Sequence, residues 1–137
     1  MDKSLRDKIK SMVLKSKEIL EKEITIILEG KYSIHKSGKI ESIDNLKGLS
    51  FDEIDFRNEI ETKINYLVEG SIKKEETIKK IIRETAYTIL NRLAALRFMD
   101  ENIIIQDSVR EGLNSKGFSL FKKTCSEIAN NDAHYFF

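Results

Sequence analysis

Three groups of residues have types that could do chemistry. Asp55, followed by Glu61-Thr62-Lys63, supplies the acidic residue and Glu-x-Lys string with which many restriction nucleases hold Mg²⁺. Such a site needs strand geometry, in which alternate residues share a face. Apolar residues recur here at three- and four-residue intervals, so the segment is expected to be helical. Residues i and i+2 then point about 200° apart at ~3.6 residues per turn, and the string reads as a solvated helix face. Cys125, His35 and His134 are the second group, and they show no metal-ligand spacing. No metal site is expected, and a single cysteine leaves no internal disulfide. The third group is Asn91, Arg92 and Arg97, which sit inside an otherwise apolar stretch. Buried charge is costly unless it is paired and hydrogen-bonded, so these three residues need partners in this chain or in a neighbour.

The elements that must position them are helices. The 137 residues contain no proline, and Lys, Glu, Ile and Leu dominate; three of those four are good helix formers. Leu5, Ile9, Met12, Val13, Leu20, Ile24, Ile27 and Leu28 give an amphipathic helix over about 4–29, with Gly30 as its expected stop. Ser37-Gly38 marks a turn between Tyr32-Ser33-Ile34 and Lys39-Ile40-Glu41, where a short hairpin is expected. Ser50 and Glu53 have the spacing of a capping box, which opens a helix over 51–69 with Phe56, Ile60, Ile64 and Leu67 as its stripe. A third helix over 74–100 is amphipathic in its first half. From Ala86 to Met99 it is apolar on nearly every face, the pattern of a buried central helix. Asn102 to Ile105 reads as a short extended run, and a last helix is expected over 117–129. The fold class expected is an all-α, irregular bundle of about four helices forming one domain over 1–137.

Composition limits the function. Twenty-four basic residues face 23 acidic ones, a net charge of +1. That argues against a domain whose whole task is gripping phosphates. Residues 71–100 carry a modest basic excess, which reads as a solvated face before it reads as a DNA patch. No apolar run approaches the ~18 residues of a membrane span, and the N-terminus is charged from Asp2 onward, unlike a signal peptide. A cytoplasmic protein without a membrane partner is expected. The last three residues, Tyr135-Phe136-Phe137, are all aromatic and read as a cut inside a longer protein.

The segment Arg83 to Asp100, with Leu90-Asn91-Arg92-Leu93, Ala95-Leu96-Arg97 and Met99, resembles one in large adenine-specific DNA methyltransferases. These include the methyltransferases of BREX phage-defence systems and the single-chain type II restriction-modification enzymes. Asp107-Ser108-Val109, Ser115-Lys116-Gly117-Phe118 and the phenylalanine-bearing helix after them extend the resemblance to about residues 81–131. Asp100 departs from it, since Glu is expected there, and the first 70 residues carry no part of it.

The resemblance implies a parent enzyme that uses S-adenosylmethionine to methylate adenine N6 in DNA, in some members with a nuclease on the same chain. It also implies a catalytic core with a glycine-rich cofactor loop and an Asn/Asp-Pro-Pro-Tyr/Phe motif. This chain has no proline and no Gly-x-Gly, so no catalytic or cofactor-binding residue is assigned to it. It is expected to be the helical region that precedes the core. Asn91, Arg92 and Arg97 would then dock it to the rest of its own polypeptide or touch DNA. Arg92 is expected to be buried and paired within the chain. The alternative is a free-standing helical interaction module or small regulator.

Overall fold

The computed structural model describes residues 2–70 and 73–125. Four α-helices carry them: α1 (Lys3–Gly30), α2 (Phe51–Glu69), α3 (Lys74–Glu101) and α4 (Lys116–Thr124). The chain is thus all-α, as expected, and the first three spans lie within a residue of those read from periodicity. Residues 126–129 of the expected last helix, and the aromatic terminus, lie outside the described residues.

Local chemistry explains where the helices begin. The Ser50 hydroxyl accepts from the Glu53 N–H at 3.3 Å, and the Glu53 carboxylate accepts from the Ser50 N–H at 2.8 Å. This capping box satisfies two end donors that the helix itself cannot. Glu53 also pairs with Lys31. That contact, with the Ser50 N–H, holds the Glu53 carboxyl below its ordinary range. At α4 the Ser115 hydroxyl accepts from the Phe118 N–H at 3.1 Å.

The chain divides into two compact units, residues 1–88 and 89–137, with the boundary inside α3. The first unit holds the core. Leu28 of α1, Tyr32 and Ile34 of the following turn, Ile64 of α2, and Ile78, Ile81 and Ile82 of α3 form one buried cluster. Tyr32 also stacks obliquely on Phe56, with ring centroids 5.6 Å apart. The expected hairpin is present in minimal form: Ile34 and Ile40 make one antiparallel bridge, and the His35 N–H donates to the Lys39 carbonyl at 2.8 Å. Gly38 turns its tip with φ +94°, and a Cβ there would meet the Glu75 backbone nitrogen at 3.3 Å. Glycine therefore serves both the turn and the close approach to the start of α3.

The stripe of α2 is shifted from its expected place. Arg57, not Phe56, turns inward with Ile60 and Ile64, and Arg57 is only 1% exposed. Its Nε donates to the Tyr32 carbonyl at 3.0 Å, its Nη1 to Glu61 at 2.9 Å, and its Nη2 to the Glu41 carbonyl. The guanidinium fork thus fastens both ends of the hairpin to α2. Glu61, one member of the nuclease-like string, is a partner of this arginine, and Lys63 lies 4.0 Å from Glu84 instead. Both stand on a helix, so the string forms no metal-binding strand.

Candidate docking surface

The second unit begins at Ile89 and contains the residues singled out for function. The expectation of a buried second half of α3 is not met. Thr77, Ile78, Ile81, Ile82 and Ala86 are the buried residues of this helix, and from Tyr87 to its end every residue is exposed or half-buried. Apolar residues on every face show that a helix wants cover; they do not place that cover in the same chain. Within the first unit, Leu28, Tyr32, Ile34 and Ile64 pack with Ile78, Ile81 and Ile82 of its first half.

The expectation for Arg92 fails with it. Arg92 and Asn91 are exposed, and Arg92 makes no ion pair among the described residues. Glu84, two turns before it on the same helix, pairs instead with Lys63 and Lys80. Arg97 is half-buried and pairs along its own helix, with Asp100 at 3.7 Å and with Glu101.

Asp100 organises the loop beyond the helix. Its side chain is 7% exposed, and its Oδ2 accepts long hydrogen bonds of 3.4 Å from the backbone N–H groups of Ser108 and Arg110. The carboxylate thereby holds the returning loop against the helix end. The helix stops in a Schellman turn: the Ile104 N–H donates to the Met99 carbonyl at 2.9 Å and the Ile103 N–H to the Asp100 carbonyl at 3.2 Å. Ile103 takes the left-handed position of that turn, with φ +57°. The extended run expected over 102–105 is therefore a reversal. Three isoleucines in sequence suggested a strand, but the carbonyls at the end of α3 need donors, and the turn supplies them.

Asp107 and the segment from Ser115 to Phe118 meet in space. The Gly117 N–H donates to the Asp107 carbonyl at 2.9 Å, and the Lys116 N–H to its carboxylate at 3.4 Å. A Cβ at residue 117 would stand 3.0 Å from the Asp107 carbonyl oxygen, a distance that excludes a side chain there unless the loop shifts. The sequence fragments 107–109 and 115–118 thus form one local fold, a loop locked onto the start of α4.

The described residues of that unit, 89–125, form little core. Ser115 is the sole buried residue among its described residues. Its apolar side chains are instead presented outward: Leu93, Leu96 and Phe98 on α3, Ile103 and Ile104 in the turn, and Leu113 and Leu120 beyond. Asn91, Arg92 and Arg97 lie among the first of these. Sequence reading missed the parts of Arg57 and Asp100. Arg57 was legible in principle, because it shares the 57-60-64 spacing of the inward stripe.

Hollows open on the surface of the described residues. One is lined by Lys17, Arg83, Glu84, Tyr87 and Thr88, another by Asp100, residues 103–107 and Arg110. Among the described residues no group of three or more His, Cys, Asp or Glu side chains is placed to share a metal ion, and no helix is long and apolar enough to cross a membrane. No family model, curated protein or solved structure matches the chain.

Proposed function

We propose that this chain is a non-catalytic helical domain of an adenine-N6 DNA methyltransferase or restriction-modification enzyme, and that its second unit docks on the catalytic part of that polypeptide. The observation that carries this reading is the lack of any buried apolar residue among the described residues 89–125, although leucine, isoleucine and phenylalanine recur there. Apolar side chains held outward on ordered helices stabilise an interface when a partner removes them from water, at ~25 cal/mol per Å². The residues of the resemblance, Leu93 and Leu96 with Asn91, Arg92 and Arg97, fall on this outward surface. In this reading S-adenosylmethionine binds elsewhere in the parent. The three polar residues supply the hydrogen-bonding and charged contacts around an apolar centre, and in the same reading the exposed Arg92 is the residue offered to a DNA phosphate.

The test uses the parent enzyme, whose reading frame should continue past Phe137 into a glycine-rich loop and an Asn-Pro-Pro-Tyr motif. Replacing Leu93 and Leu96 together by Asp should abolish adenine methylation by the full-length protein while leaving the melting of the 137-residue chain within about 2 °C, since exposed sites contribute little to stability. A frame without those motifs removes the methyltransferase reading and leaves a free-standing interaction module.

A further inference from the structure

We infer that two faces of the first unit, one on α1 and one on α2, are made for each other in a second copy of this chain. Neither face belongs to the docking surface of the second unit, so the inference stands without that proposal.

Residues 3–15 of α1 are all exposed, so the first unit leaves this half of the helix uncovered. At ~100° per residue, Leu5, Ile9, Met12 and Val13 share an arc of about 100°. All four are more than two-fifths exposed, Met12 most at 68%. Lysines border the arc on both sides, Lys8 and Lys15 on one edge, Lys10 and Lys17 on the other. Residues 2–17 hold six basic and two acidic residues, so an apolar strip here runs between two basic margins.

The outward face of α2 has the opposite character. The inward face is taken by Arg57, Ile60 and Ile64. On the far side Asp52, Asp55, Glu59 and Tyr66 fall within about 60° of arc. All four are exposed, Tyr66 at 75%, and neighbouring Phe51 is 77% exposed. Residues 51–70 hold six acidic and two basic residues. The net charges of the two segments, +4 and −4, are equal and opposite. Lys8, Lys15, Asp55 and Glu59 make no ion pair among the described residues.

Complementary charge fixes partner choice and register, and apolar contact supplies the stabilisation. The α1 strip offers aliphatic side chains inside a basic margin; the α2 face offers Phe51 and Tyr66 among carboxylates. A two-fold arrangement lays α1 of each copy on α2 of the other, giving two equal contacts and a closed dimer. A DNA partner would be served by the lysines but would leave the apolar strip in water.

The experiment is light scattering on the 137-residue chain, with helicity checked by circular dichroism. A dimer is expected at tens of micromolar in about 50 mM salt, weakened several-fold at about 500 mM, where exposed charges are screened. Lys8→Glu with Lys15→Glu should give a monomer, and so should Asp55→Lys with Glu59→Lys. An equimolar mixture of the two variants should dimerise again, at least tenfold more tightly than either alone. If a reversed variant loses helicity, Lys8→Gln with Lys15→Gln should still weaken association several-fold. A monomeric wild type at about 200 µM in low salt overturns the inference, as does a mixture that stays monomeric or a variant that dimerises like wild type. Binding of a monomeric wild type to phosphatidylserine vesicles would assign the strip to a lipid surface and overturn it too.

Discussion

The Nε of Arg57 and the carbonyl oxygen of Tyr32 lie 3.0 Å apart in the interior of the first unit. This bond joins α2 to the segment by which the chain leaves α1. Because Nη2 reaches the Glu41 carbonyl as well, one side chain closes both ends of the 32–41 segment. Tyr32 and Ile34, which that segment places, are among the most buried residues of the chain.

Arg57→Ala should therefore be strongly destabilising. It strands two carbonyl oxygens and leaves a cavity between α2 and the 32–41 segment, and each buried unpaired acceptor costs about 1–3 kcal/mol. A loss of about 3–5 kcal/mol is expected in urea unfolding. Arg57→Lys should recover less than half, since an ammonium cannot reproduce the fork. A loss under 1 kcal/mol for the alanine variant would show that the hairpin does not depend on this residue.

Arg92 and Asp100 should behave oppositely, although both belong to the charged residues of one helix. Arg92→Ala should change the stability of the chain by no more than about 0.5 kcal/mol, as exposed substitutions usually do. Asp100→Ala removes the acceptor for the Ser108 and Arg110 N–H groups and a partner of Arg97. A loss of about 1–2 kcal/mol is expected there, with amide shifts over residues 106–111 in a nuclear magnetic resonance spectrum. Equal effects of the two substitutions would contradict the assignment of Asp100 as the organiser of the loop.

Ile103→Gly should stabilise the chain. Isoleucine in the left-handed region costs about 1–2 kcal/mol, and this one is 90% exposed, so little burial is lost. Glycine returns part of that gain through the greater freedom of its unfolded chain. A net gain of about 0.5–1 kcal/mol is expected from thermal melts, with a smaller change for Ile103→Ala, which retains a Cβ at φ +57°. A loss of stability in the glycine variant would mean that the isoleucine side chain contributes more than its exposure suggests.

Much of the fold could be read from spacing and end signals. The Ser50–Glu53 pair located the start of α2 to the residue because the capping chemistry is local. Ser37-Gly38 located the hairpin for the same reason. Where the outcome depended on long-range partners, the reading failed. Arg57 lies in Asp55-Phe56-Arg57-Asn58-Glu59, a string that looks solvated until its register with Ile60 and Ile64 is noticed. The run from Ala86 to Met99 signalled a need for cover, and periodicity carries no information on which molecule provides it. The reversal at Ile103 was hidden for a third reason. The demand of the helix end for hydrogen-bond donors outweighed the extended preference of three isoleucines.

The uncovered first half of α1 also has a dynamic consequence. Its residues 3–15 are exposed around the whole circumference, so these turns are held by their own backbone bonds, and a lone helix of about 12–15 residues is marginal in water. Fraying there costs the core nothing, whereas opening around Leu28 requires Ile64 and Ile78 to be uncovered as well. Amide protons from Leu5 to Lys15 in an unassociated chain therefore exchange with solvent on the timescale of local opening, while those near Leu28 wait for much rarer events. Slowed exchange confined to the first turns then reports occupancy of this helix residue by residue, whatever molecule occupies it.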